Sequence, residues 1–253
     1  MGTRRGRLPR LRRLPGQDRP RDSRLRAPTH RLRVAKTSTR TRHASIDRIT
    51  LPDLSDDDGA LLRSGDGREA ERYTDVNLDG RDLTGISFGE CKFNKVSLHE
   101  TRLRGASFSE CLVTDLHAPV FSAPRSNWRD VRIEHARLGS VEAYEATLRS
   151  VHIDGSKLDF VNLRNATVTD VLISNCIIEE LDLGSATVQR LELQNCRIGT
   201  LDVGGAKLKD VDLRSSDFSA VHGLEGLRGA TIDDAQLSLL APLLAAHLGL
   251  KVE

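Results

Sequence analysis

Apolar side chains recur at every fifth position from Tyr73 to Phe218: Leu78, Leu83, Phe88, Phe93, Leu98 and onward through Leu213. All thirty such positions are apolar although the hydrophobic share of the chain is 38%. Chance would produce that run with a probability on the order of 10⁻¹³, so the period is a structural repeat. A second line lies two residues earlier, from Val76 to Val221, and is nearly all small or apolar. Arg81 is its one charged member, at the start, where a coil end would leave it in water. A helix needs apolar residues at i, i+3, i+4 and i+7, and a half-buried strand needs strict alternation. Neither fits two inward sites, i−2 and i, in every five residues. The positions i−2, i−1 and i instead predict a three-residue strand with both ends pointing inward. The remaining two turn a corner, and they are rich in turn formers: Asp79-Gly80, Asp154-Gly155, Ser174-Asn175, Gly184-Ser185, Gly204-Gly205.

A looser period of twenty sets the number of sides. Ala146-Thr147-Leu148, Ala166-Thr167-Val168, Ala186-Thr187-Val188 and Ala206-Lys207-Leu208 lie twenty apart, as do Leu181-Asp182-Leu183 and Leu201-Asp202-Val203. Four fives per turn give a square cross-section in which like residues stack at about 4.8 Å. Phe88, Phe108 and Trp128 are then an aromatic ladder in the core. From Val131 to Val221 the i−2 line alternates large and small, which matches opposite walls of a filled square.

These blocks, with Val76-Asn77-Leu78-Asp79-Gly80 and Val161-Asn162-Leu163 nearest the motif A-(D/N)-L-x-x, resemble the pentapeptide-repeat family. The resemblance covers roughly residues 73–225. It implies an all-β fold, a right-handed quadrilateral parallel β-helix. Ala118, Ala123 and Ala143 at i depart from the motif and imply a thinner or distorted wall locally. Family membership of this kind describes architecture and leaves function open.

Composition divides the chain. Residues 1–50 hold sixteen Lys/Arg against three Asp, a net of +13, while residues 51–253 hold twenty-two against thirty-three, a net of −11. The Arg/Pro-rich segment 1–50 has no core-forming period and is expected to be disordered. It offers a basic arm for nucleic acid or an acidic surface. It has no apolar run for a signal peptide, and Val34 is an alternative start. Residues 51–72 are expected as an N-terminal lead-in, with Asp56–Asp58 opening a short helix at Gly59. The β-helix occupies 73–225. Near Leu116–Arg125, with Pro119 and Pro124, the pattern weakens and a bulge or external loop is expected. Residues 226–253 form a helical cap for the open last coil: Asp233 and Gln236 make a capping box, and Leu237, Leu240, Leu244 and Leu248 follow helical spacing. Pro242 should kink or restart that helix, and Gly249 should end it. The same leucines offer a homodimer contact, a mode the resemblance implies.

Chemistry is sparse. Cys91 and Cys111, and Cys176 and Cys196, lie twenty apart on the i−2 line. Stacked parallel side chains do not meet disulfide geometry, and nothing nearby completes a zinc set. They are expected as buried free thiols suited to a reducing cytoplasm. His99, His117, His152 and His222 fall on outward positions, and no nucleophile elbow, phosphate loop or metal motif appears. A filled prism also lacks the concave site catalysis needs. No enzyme, cofactor or membrane span is expected. The expectation is a rigid surface for a protein partner. Its acidic column is Glu142, Asp182 and Asp202, shared with Asn162; its basic column on the next wall is Arg137, Lys157 and Arg197; Pro119 and Pro124 mark the irregular stretch. The resemblance also implies an alternative, a DNA mimic that binds gyrase as quinolone-resistance proteins of the family do. Residues 73–225 carry twenty-three acids against seventeen bases, a net of −6. Over roughly 36 Å this is one net charge per about 6 Å, against about one per 1.7 Å in duplex DNA. Whole-body mimicry is weak on that arithmetic.

Overall fold

The computed structural model describes Gly2 and residues 40–251. Short parallel strands wind from Ser55–Asp56 to Ala230–Thr231, about nine turns, and are followed by one helix, Asp234–His247. Every pairing from Gly67 to His222 joins residues twenty apart, for instance Thr147↔Thr167 and Lys157↔Ile177. The coil therefore has four sides of five residues. The ends deviate: the first coil is four residues short (Ser55↔Glu71) and the last one short (Val211↔Ala230). The segment expected as a lead-in is thus wound into the coil, and the helix expected after Asp56 is absent, since residues 57–62 form a loop and turn.

The period places side chains as the hydrophobic spacing requires. Of the thirty fifth positions all but Ile153 and Leu208 are buried, and those two pack against the core. Phe88 stacks on Phe108 at 5.4 Å and Phe108 on Trp128 at 4.2 Å, with Tyr73 on Phe93 at 5.1 Å. Each pair contributes about 0.5–1.5 kcal/mol beyond burial. Where Ala118 and Ala123 leave room, Phe121 brings its ring from the i−2 line to 6.2 Å from Trp128. Polar residues on the inner line are satisfied in place: Thr101 Oγ1 donates to Leu78 O at 2.8 Å, and Ser216 Oγ to Leu193 O at 2.8 Å. Below Trp128 the smaller lining residues leave a narrow apolar void of about 70 Å³ along the axis.

Three corners of each coil take a residue with positive φ, such as Asp130 (53°), Asn175 (54°) and Ser185 (56°). The fourth does so only at Gly80 (69°) and Glu100 (55°). From Val120 onward this corner leaves the left-handed region, because a β-branched side chain is the costliest occupant of positive φ. Ser140, Phe160, Glu180, Thr200 and Ala220 stack above it in the same conformation. The flattened corner merges two sides into six-residue strands, His117–Ser122 through Asp217–His222, which form the second sheet. The bulge expected around Pro119 is therefore not there. The register from His117 to Ser122 is unbroken against Arg137 to Glu142, and Pro119 sits at the corner between ladder pairs, where its missing N–H costs nothing.

Both ends of the rod are closed by a single polar side chain. Arg81, expected in water, is half-buried and its guanidinium donates to the carbonyls of Gly59 (2.6 Å), Ala60 (3.3 Å) and Leu62. At the other end Gln236 is buried, and its Nε2 donates to Leu213 O and Ser216 O, each at 2.6 Å. Its Oε1 accepts from the Asp233 amide while Asp233 caps the Gln236 amide, which is the expected capping box. The helix runs through Pro242 and ends at Gly249, where Leu250 N donates to Ala245 O and Gly249 N to Ala246 O. Its inner face differs from the expected leucine seam: Leu240 is buried and Leu244 half-buried, while Leu237 and Leu248 are exposed. Arg81→Met should cost about 1–3 kcal/mol in urea unfolding by leaving the Ala60 and Leu62 carbonyls without that donor, while Gly59 O keeps the Leu62 amide. An unchanged midpoint would remove Arg81 from the role of end plug.

Residues 40–50 were expected to share the disorder of the N-terminal tail, but they lie extended along the outside of the rod. Residues 3–39, which hold most of that expectation, fall outside the described ones.

Candidate interaction surface

Four-sided winding turns residues twenty apart into columns on the outer faces. Glu142, Asn162, Asp182 and Asp202 are successive partners in one column, and Arg137, Lys157, Ile177 and Arg197 in another, on adjacent sides joined by the flattened corner. The basic column is exposed throughout, with Ile177 interrupting its charge. The acidic column is not a row of free carboxylates. Asn162 Nδ2 donates to Glu142 Oε2 at 2.8 Å. The Arg164 guanidinium folds over Asp182 at 2.7 Å and reaches within 4.0 Å of Asp202, which leaves Asp182 buried. Gly184 makes that possible, since a Cβ there would stand 2.8 Å from the guanidinium carbon. Arg164 was not among the residues expected at this surface, and its signal was present: it follows Asn162 by two and faces Asp182 across one coil step. Of the two prolines, Pro119 is exposed and Pro124 is buried, so Pro124 offers a partner nothing. A shallow groove of about 830 Å³ runs over His117, Arg137 and Lys157, where Gly139 and Gly155 present no side chains.

A second polar face was not anticipated. Among the described residues, the segment 41–47 crosses the eight-residue strands of the first sheet along the rod axis. Its main-chain N–H groups donate to side-chain oxygens: Arg42 to Asp210 (3.3 Å), Ala44 to Glu192 (2.6 Å), Ser45 to Asp170 (3.0 Å) and Asp47 to Ser150 (3.0 Å). His43 Nδ1 also meets Glu192 Oε1 at 3.0 Å, and Thr41 meets Thr231. The strands' own amides and carbonyls are used between coils, so only side chains remain to receive the strap. The signal in the sequence is the run Ala44, Ile46, Ile49, Leu51 and Leu54, which departs from the Arg/Pro composition before it. Beneath Ile46–Ile49 the strap arches over a depression of about 600 Å³ that includes Lys92, Arg132 and His152.

Carboxylates under the strap are held charged. The Arg190 guanidinium, bidentate on Asp170 at 2.5 and 2.6 Å, holds that carboxyl below the usual range against its partial burial. Arg214 does the same for Asp212, and the Ser174 hydroxyl for Asp154. Carboxyls with depressed folded pKa values contribute stability that is present above their unfolded pKa and is lost as pH falls through the folded one. The thermal midpoint should therefore hold from pH 7 to about 5 and fall below about pH 4; a midpoint rising on acidification would contradict these pairings.

All four cysteines are free and buried. Burial pushes the Cys91 thiol up to about 11 and Cys111 to about 12. Contact with Cys196, then burial, pushes Cys176 up. His152 is held below its ordinary value by burial, and its Nε2 donates to Ser174 Oγ at 2.8 Å, since the Ser174 hydroxyl is given to Asp154. Among the described residues no three metal-binding side chains converge, and no helix is long and apolar enough to cross a membrane.

Residues 74–109 match the family model for pentapeptide repeats, in eight copies. No curated protein matches the chain. Among solved structures, full-length QnrB1, a plasmid-mediated fluoroquinolone resistance protein, is 20% identical, covering 75% of this chain and 94% of that one with a TM-score of 0.38. HetL, a pentapeptide-repeat protein involved in heterocyst differentiation regulation from the cyanobacterium Nostoc sp. strain PCC 7120, is 16% identical, covering 66% and 91% with a TM-score of 0.21. Both superpose loosely. Residues 74–109 thus carry pentapeptide repeats, and the coil they begin continues to step by twenty residues as far as His222.

Proposed function

We propose that the chain is a non-enzymatic scaffold that presents a rigid, striped surface to a protein partner. The observation that carries this reading is the pair of neighbouring columns, Glu142–Asp202 and Arg137–Arg197, held at the coil repeat on adjacent sides. A filled rod has little main-chain freedom to adapt, so recognition would rest on charge spacing and shape. Affinity capture with wild-type protein and with Arg137→Glu/Lys157→Glu tests it. A partner retained by wild type and lost by the variant supports the basic column as its contact. Identical capture by both removes that surface from the reading.

A second copy is a further partner on this reading. Leu237, Leu239, Leu243, Leu248 and Leu250 leave a leucine-rich surface exposed at the C-terminal end. Leu239→Glu/Leu243→Glu should shift a dimer to a monomer in light scattering, and an unchanged mass would exclude this face. Nucleic acid enters only through the Arg-rich segment of residues 1–50. The four unpaired thiols are in keeping with a reducing cytoplasm. Regulation of gyrase by partial duplex mimicry is the less favoured reading, because Asp170, Asp182 and Asp212 are neutralised by Arg190, Arg164 and Arg214. A supercoiling assay with micromolar protein should show no inhibition.

A further inference from the structure

The strap does more than cover a wall, because of how it is held. Four main-chain N–H groups of residues 42–47 reach four side chains, and those four stand on four successive coils. Three coil steps separate Asp210 from Ser150, about 14 Å at the usual strand spacing, and five extended residues span about 16 Å. An extended chain therefore meets one acceptor roughly every one and a half residues, set by the winding of the rod. Three of the four acceptors are carboxylates, Asp170, Glu192 and Asp210. The side chains of Arg42, Ser45 and Asp47 remain exposed, so the wall reads the main chain and the charge of what lies on it.

The charge has a direction. At one end the strap brings Arg42 and His43 to Asp210 and Glu192. At the other, Asp47 and Arg48 line the depression with Lys92, Arg132, Glu134 and His152, so the strap's charges offset there and its basic excess lies at its N-terminal end. The corner column that holds Asp210, Asp170 and Ser150, with Arg190 between the two aspartates, continues beyond Ser150 with Asp130, Glu110 and Glu90, which receive no hydrogen bond from the described strap residues. The strap lifts off there over about 600 Å³, so its grip uses part of the available length.

We propose that Asp210, Glu192, Asp170 and Ser150, on four successive coils, form a docking track for an extended protein segment that is basic at its N-terminal end, and that residues 42–47 are its occupant in cis. A partner bearing such a segment binds by displacing the strap, so the strap sets the threshold for binding. This deepens the scaffold reading and rests on it, but uses the other sheet from the Glu142 and Arg137 columns, so the two fail separately.

The test uses full-length protein and a fluorescent peptide with the sequence of residues 40–54 as the probe. Ala44→Pro/Ser45→Pro removes the two central donors of the strap and leaves the wall untouched. At low salt this variant should bind the peptide at least tenfold more tightly than wild type. Adding Asp170→Asn/Glu192→Gln should weaken that binding at least tenfold. Equal binding to variant and wild type, or binding to neither, overturns the proposal. A variant that becomes dimeric would show that a second copy's strap takes the track, which overturns a separate partner. Hydrogen exchange on wild type gives a readout without mutation: excess peptide should unprotect the amides of Arg42, Ala44, Ser45 and Asp47. Protection that persists at saturation overturns displacement.

Discussion

Leu163→Asp is expected to leave the rod unfolded at room temperature. Leu163 is buried on the inner line and faces the axial void, whose lining is apolar throughout. A carboxylate placed there meets no donor, since the amides of the surrounding coils are already paired with their neighbours, as Leu163 N is with Asp182 O at 2.8 Å. Burying an unpaired charge belongs to the short list of changes that cost about 4–5 kcal/mol or more, comparable with the whole stability of a domain. Because each coil supports the next, the loss would spread along the rod. Far-UV circular dichroism and a thermal scan measure it. Lys157→Asp, six residues earlier and outward, is the control and should stay within about 0.5 kcal/mol of wild type. A Leu163→Asp protein that melted like wild type would be incompatible with an inward-facing fifth position.

Gly229→Ala should release the last turn together with the helix that caps it. Gly229 has φ +95°, and a Cβ built on it would stand 2.0 Å from the carbonyl oxygen of Leu208. The close approach is the means by which the shortened final coil pairs Val211 with Ala230. No side-chain motion relieves a clash between a Cβ and a backbone carbonyl, so the segment must move. We expect a loss of about 3 kcal/mol from strain and broken pairing together. Amide exchange should locate that loss, with protection falling at Leu213, whose N–H bonds Thr231 O at 3.0 Å, and in the helix. Protection at coils centred on Phe108 should be unchanged. Uniform loss along the rod, or none, would show that the closing turn is not an independent lid.

The legibility of the fold follows from the range of the forces involved. Inward or outward placement is settled within five residues by which side chains can share a dry interior, so the thirty-residue line, the twenty-residue turn and the aromatic ladder could be read directly. The capping box and the Gly249 terminus are local as well, because both depend on residues three or four apart. Arg81 was misjudged because its charge suggested water, while its length allowed it to reach three carbonyls of the first coil. The prolines were misjudged in the opposite sense: a missing N–H matters only where the ladder would have used it, and at Pro119 it does not.

The candidate surface was legible as columns and not as contacts. Spacing alone put Glu142, Asp182 and Asp202 in line. It could not show that Arg164 closes over Asp182, or that Pro124 is covered.

What the sequence by itself determined is the winding: the length of a coil, its four sides, and the residues that fill it. Those follow from side-chain polarity at short, repeating separations. The tertiary structure alone decided the flattening of the corner after Val120, the pairing of Asp170 with Arg190, and the seating of the strap on Asp210, Glu192, Asp170 and Ser150. These depend on groups that lie twenty to nearly two hundred residues apart in the chain and become neighbours only once the coils are stacked.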